Sequence, residues 1–285
     1  PQPIQGKVLA ETRAQYEDAV IAPWPGGFLL VSKASTQGAR LMVRSFDAKG
    51  ARLGPARPLS ARLPRIDFVT AATVGGQVLV AFTACKGASI CDPAGVNLAV
   101  VGPSGVLTAP KIAVPKASQA ALAVHGGQVA LLTKGASWGP WSVRRVRAAT
   151  AKEAAKALTQ AKPMATLTFA DSNYAGAGVL ALTAHGVLVA HRDREGGRTL
   201  LRVVSVTSKG ETAIVQRLPA VERAGWGASR LVSHGGGVAL LGLRRRGRRI
   251  DTVLRFLSAD GTKVRRTLVL ARGMAPAWPR LAPDG

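Results

Sequence analysis

The chain has 285 residues, with 39 Lys and Arg against 15 Asp and Glu, a net charge of +24. That length holds one large all-β domain or two ordinary ones. No apolar run reaches the roughly 20 residues a bilayer-spanning helix needs, so an α-helical membrane anchor is excluded from the sequence given.

In chain order, residues 4–10 read as a lone strand. The chain begins at Pro1 rather than Met, as expected of a processed or excised form. Five similar units follow. Each opens with an apolar strand, at 18–22, 68–73, 120–124, 179–183 and 229–233. A glycine turn leads from it to a second apolar run, at 28–32, 78–83, 129–133, 187–191 and 238–243. The turn glycines Gly27, Gly76, Gly127, Gly186 and Gly236 lie 49, 51, 59 and 50 residues apart. Uninterrupted apolar runs of this length suit strands packed on both faces. Third strands at 40–46, 97–101, 141–147, 200–206 and 252–257 begin to admit polar residues, as half-exposed strands do. Tight turns with glycine, such as Asp47-Ala48-Lys49-Gly50 and Ala259-Asp260-Gly261, then lead to more polar outer strands such as 212–218 and 262–270.

The third unit is irregular. Residues 152–157 (Lys-Glu-Ala-Ala-Lys-Ala) have high helix propensity, but six residues make a poor lone helix. Register with the other units predicts a turn and strand there. At the C-terminus, residues 278–285 look like one more first strand running into one more turn.

A period near fifty with strand content predicts stacked β units. The expected fold is an all-β propeller of five full four-stranded blades, at about 16–60, 65–115, 118–170, 174–219 and 226–271. Residues 4–11 and 278–285 would share a partial sixth blade in the same single domain, 1–285.

Several residues are candidates for chemistry. Cys85 and Cys91 fall in one loop and suit a short disulfide, which would point to an oxidising compartment. His125, His185 and His234 share one repeat position before the second strand, where imidazole could ligate a metal. Their spacing on separate blades favours turn geometry instead, because histidine tolerates the left-handed conformation. No metal or other cofactor is expected.

The loops between second and third strands should share a face with the interblade loops. That face would carry Trp138, Trp141, Arg192, Arg194, Arg198 and the run Arg244, Arg245, Arg246, Arg248 and Arg249. Interblade loops add Tyr16, Tyr174, Trp226 and Trp278. Aromatic planes beside guanidinium groups can stack on bases or sugars while arginine forks grip phosphate or carboxylate. For any one of the tryptophans packing between blades is the favoured reading, and the arginine run could be a solvated hairpin tip. The acids Asp67, Asp171, Glu222 and Asp251 lie in or near the same loops, where partnership with neighbouring arginines is expected. No nucleophile elbow, phosphate-binding loop or metal-binding helix motif is present.

The Gly-Gly-apolar second strands and the turn Phe46-Asp47-Ala48-Lys49-Gly50, with its relative Leu257-Ser258-Ala259-Asp260-Gly261, resemble bacterial extracytoplasmic β-propeller repeats. The Trp-Asp ending of WD40 blades is missing, and only a fragment of the Asp-box of sialidase-type blades is present. The resemblance implies a binding platform outside the cytoplasm. The leading expectation is therefore a non-enzymatic propeller that scaffolds a protein partner or larger assembly. The alternatives are a polyanion-binding module for nucleic acid or acidic glycan, and a hydrolase or lyase with carboxylates at the channel mouth.

Overall fold

A computed structural model describes residues 19–35, 38–87, 92–102, 105–135, 139–168, 178–196, 198–219, 230–246 and 249–272. Every unit folds as a four-stranded antiparallel meander. Blade 1 comprises β1 (Ala19–Trp24), β2 (Gly27–Ser35), β3 (Ala39–Asp47) and the two-residue β4 (Arg57–Pro58). Blade 2 comprises β5 (Arg65–Val74), β6 (Gln77–Cys85), β7 (Pro93–Gly102) and β8 (Gly105–Pro115). Blade 3 comprises β9 (Gln119–His125), β10 (Gln128–Lys134), β11 (Trp141–Arg147) and, beyond helix α1 (Ala151–Gln160), the short β12 (Ala165–Leu167). Blade 4 comprises β13 (Val179–Thr183), β14 (Gly186–Glu195), β15 (Arg198–Val206) and β16 (Thr212–Pro219). Blade 5 comprises β17 (Arg230–His234), β18 (Gly237–Arg246), β19 (Arg249–Leu257) and β20 (Val264–Ala271). Strand order in each sheet follows chain order.

The first strands are innermost and pack in sequence, β1 on β5, β5 on β9, β9 on β13 and β13 on β17. The five sheets thus form the expected propeller ring. The partial sixth blade falls on residues 4–11 and 278–285, outside the described residues. Among the described residues, no helix is long and apolar enough to cross a membrane.

The core lies between blades. Leu29 and Val31 of blade 1 meet Val78, Val80 and Phe82 of blade 2. Leu79 and Ala81 then meet Val129 and Leu131 of blade 3. Ala130 and Leu132 meet Val187 and Val189, and Leu188 and Ala190 meet Val238 and Leu240. Alternation along one strand therefore serves two neighbours, which is why the second strands are apolar throughout.

The close approach of second to third strands explains some of the glycines. At Gly186 the backbone has φ +144°, and a Cβ would stand 2.3 Å from the carbonyl oxygen of Val206. The third-to-fourth turns are closed by aspartate. Asp47 Oδ1 accepts from the N–H groups of Lys49 and Ala51 at 2.9 and 2.7 Å. Asp260 accepts from Ser258 Oγ and from the Thr262 N–H, and these bonds pull its pKa down to about 2. The Asp-box fragment is thus a hairpin clasp.

The third unit departs from the expected turn and strand. Residues 151–160 form a helix, longer than the six residues of high propensity. The Thr150 hydroxyl accepts from the Glu153 N–H at 3.2 Å, and the Glu153 carboxylate accepts from the Ala149 N–H at 3.0 Å. This near capping box satisfies donors that a helix start leaves open. Ala151, Ala154 and Leu158 are buried in the core between blades 2 and 3. Docking of that stripe offsets the cost of a short helix.

Candidate functional site

Antiparallel pairing brings the start of each first strand and the end of each second strand to one rim, called here the upper rim. Hairpin register equates Gly27, Gln77, Gln128, Gly186 and Gly237, the residues paired across the first turn. Six residues further on, at the upper rim, stand Lys33, Thr83, Lys134, Arg192 and Leu243. Strand alternation puts this position on the face that meets the next blade. Three of the five blades place a cation there, so the ring repeats a charge as well as a core.

At the junction of blades 3 and 4 this position builds a buried polar group. Lys134 is 4% exposed, and its ammonium lies 5.8 Å from the centre of the Trp141 ring. Burial lowers the Lys134 pKa. Trp141 meets His191 edge-on at 5.1 Å. Gly178 leaves room for the indole, since a Cβ there would stand 2.7 Å from Trp141 Cζ3. His191 is 1% exposed, and burial drives its pKa down to about 3 against the opposing pull of Asp193. Asp193 is held by Arg202 at 2.6 Å, and Arg202 and Arg217 both lie 3.3 Å from Glu195. Trp141 is therefore interblade packing, the reading favoured for the tryptophans, and not an exposed stacking platform. Its alternation with Val143 turns it inward, and its neighbours cover it.

Blade 2 carries the carboxylate on an innermost strand. Pairing of β5 with β6 slips between Asp67 and Thr70, a β-bulge, and Phe68 adopts φ 52°. Among the described residues, Phe68 and Lys116 are the non-glycine residues with positive φ. For an aromatic residue this conformation is an outlier. Bulges re-aim side chains, and strained backbone gathers at functional sites. The half-buried Asp67 carboxylate accepts from Arg65 Nε at 3.0 Å, with Cys85 Sγ 3.9 Å away. Lys33 of blade 1 donates to the Ile66 carbonyl at 3.0 Å and pins the start of this segment.

In blade 5 the arginine run is not simply a solvated tip. Arg244 lies directly across the sheet from Asp251 and reaches its carboxylate at 3.4 Å. Arg255 is buried below them, and burial together with Arg244 lowers its pKa. Arg245, Arg246 and Arg249 continue the strands β18 and β19. Arg248 lies outside the described residues, as do Trp138, Tyr174, Trp226, Tyr16, Trp278, Asp171 and Glu222. Arg192 is half-buried, Arg198 is exposed at the start of β15 opposite Glu195, and Arg194 pairs with Thr199. Asp67 and Asp251 do partner neighbouring arginines, as expected of them.

Cys85 is buried at the end of β6, whereas Cys91 lies outside the described residues, so the expected bridge is not described. The three repeat histidines stand at the first hairpin turns, on the rim opposite Asp67. Their expected left-handed conformation is corrected: the positive φ falls on Gly126, Gly186 and Gly235. Among the described residues, no group of three or more His, Cys, Asp or Glu side chains is placed to hold a metal.

Sequence reasoning missed the Lys134–His191–Asp193 group. Its signal was legible: Ala190-His191-Arg192-Asp193 sets polar side chains at the end of a strand whose alternation buries both faces.

No protein-family model matches the sequence, and no curated protein matches it. Solved structures do match. An exo-β-1,3-galactanase of Phanerochaete chrysosporium bound to β-1,3-galactotriose is 10% identical with a TM-score of 0.51, the match covering 84% of this chain and 60% of that one. A glycoside hydrolase family 62 α-L-arabinofuranosidase catalytic domain of Coprinopsis cinerea is 10% identical with a TM-score of 0.44, covering 81% and 84%. A glycoside hydrolase family 32 β-fructofuranosidase of Bombyx mori is 10% identical with a TM-score of 0.49, covering 86% and 60%. At these identities the likeness is one of fold. The leading expectation of a non-enzymatic scaffold is corrected by it, the matched exo-β-1,3-galactanase being an enzyme built on this fold.

Proposed function

We propose that this chain is a glycan-cleaving propeller, a hydrolase or lyase acting outside the cytoplasm, with Asp67 as a working carboxylate. The observation that carries the reading is the bulge at the start of β5, which turns an acid on an innermost strand beside Arg65 and places strained Phe68 next to it. Cleavage at a sugar needs a positioned base or nucleophile, and a carboxylate on a rigid inner strand meets that need. Arg65 and Lys33 hold its segment in place. The shared fold with a galactanase supports a sugar polymer as substrate.

The test is turnover on a panel of neutral and acidic polysaccharides. New reducing ends report either reaction, and ultraviolet absorbance of unsaturated ends reports elimination alone. The wild type should cleave at least one polymer, and Asp67→Asn should lower the rate by about 100-fold or more, the usual worth of a positioned acid or base. A panel without turnover, or an Asp67→Asn variant as fast as the wild type, would refute the reading.

A further inference from the structure

Among the described residues Arg255 is the one buried arginine, 5% exposed. It stands on β19 directly across from Leu240, which packs against blade 4. Paired residues share a face, so its side chain enters the junction of blades 4 and 5. Among the described residues no carboxylate lies within 4 Å of it, and no acceptor takes its N–H groups. A guanidinium keeps its proton, so this is a buried cation without a partner, and such groups call for an explanation. The charge it feels is also positive, that of Arg244. On the same face of β18, Gly242 stands between Leu240 and Arg244 and adds no side chain, which leaves Arg255 a slot toward Arg244. Arg244 reaches Asp251 at 3.4 Å through Nη2, while its Nε is buried without an acceptor. Two guanidinium groups therefore share one carboxylate, and one positive charge is left over. Thr267, opposite Arg255 on β20, is exposed, so solvent reaches this face at the outer strand.

We propose that the junction of blades 4 and 5 holds one small oxyanion, a phosphate, sulfate or carboxylate, between Arg255 and Arg244. The anion supplies the acceptors that Arg255 and Arg244 Nε lack, and it offsets the charge that Asp251 leaves uncancelled. Guanidinium forks match oxyanions of this kind, and charge-assisted bonds strengthen where water is excluded. The walls are apolar, since Leu201 and Leu218 of blade 4 pack with Leu240 at this junction. A compact anion fits such a slot better than a charged polymer does. An arginine kept only for the fold finds its acceptors within the fold. Arg144 is one, donating to the Ala161 carbonyl at 3.0 Å and to the hydroxyls of Thr133 and Ser142 at 3.2 and 3.3 Å. The site lies in other blades than Asp67 and stands apart from the cleavage reading.

The experiment titrates sodium phosphate, sodium sulfate and sodium acetate, each by itself, into the full chain in chloride buffer at matched ionic strength, with calorimetric detection. Arg255→Met and Arg255→Lys are measured beside the wild type. At least one of the three anions should saturate a single site per chain, and the ones that do so identify the ligand as tetrahedral or planar. Arg255→Met should weaken that anion by about tenfold or more, as loss of a charged hydrogen bond does. Arg255→Lys should fall between the two, because it keeps the charge and loses the fork. Thermal melts supply the second readout. In chloride alone Arg255→Met should melt no lower than the wild type, because it removes a buried charge that has no partner. The bound anion should then raise the Tm of the wild type and not that of Arg255→Met. No saturable binding of any of the three, or equal affinity in wild type and Arg255→Met, would overturn the site. So would equal rises in Tm for both proteins, the mark of a general salt effect. An Arg255→Met protein that melts well below the wild type in chloride, or does not fold, would make Arg255 a structural residue and overturn the site as well.

Discussion

Leu158→Ala tests whether the helix inserted in blade 3 is part of the core. Leu158 is fully buried and sits with Ala151 and Ala154 against blade 2 residues such as Ala113 and Val114. Truncation removes most of an aliphatic side chain and leaves a cavity in a site whose walls are sheets that cannot close over it. Such changes cost about 2–5 kcal/mol. A value near 3 kcal/mol, at roughly 2–3 °C per kcal/mol for a chain of this size, lowers Tm by about 6–9 °C. The exposed neighbour Lys156→Ala is the control and should stay within about 0.5 kcal/mol of the wild type. Thermal melts followed by circular dichroism read both. If Leu158→Ala melts within about 1 °C of the wild type, the helix is not docked and the account of the third unit is wrong.

Two further outcomes follow from single residues. His191 has a folded pKa of about 3, below its ordinary value of 6.5. The unfolded chain therefore binds the extra proton between about pH 6.5 and 3, and stability falls as pH drops through that window. His191→Gln should flatten the fall in urea midpoints, whereas a folded-state proton resonance of this ring titrating near pH 6.5 would contradict it. Gly186→Ala should destabilise more than Gly126→Ala. Both glycines have positive φ, but a Cβ at Gly186 strikes the Val206 carbonyl, whereas one at Gly126 meets nothing within 4 Å. Equal urea midpoints for the two variants would remove the close-approach argument.

The strands were legible because their signals are local. Gly75 and Gly76, Gly126 and Gly127, and Gly235 and Gly236 take the turn between first and second strands with positive φ, and apolar runs follow at a fixed offset. The helix at 151–160 was misread because propensity over six residues ignores what the segment docks on. Its Thr150 and Glu153 cap was present in the sequence, but the buried stripe that completes the helix depends on blade 2. The arginine run was legible as charge, not as pairing: Arg244 finds Asp251 only because β18 and β19 set them opposite one another.

By itself, the order of residues determined the repeat, the antiparallel meander and the size of the charge. Each of these depends on alternation and turn chemistry within a few neighbours. The ring decided the rest: that Lys134 and Trp141 of blade 3 would meet His191 of blade 4, and that Lys33 of blade 1 would reach the Ile66 carbonyl beside Asp67. Those contacts join residues far apart in the chain, and only the packing of one sheet against the next brings them within reach.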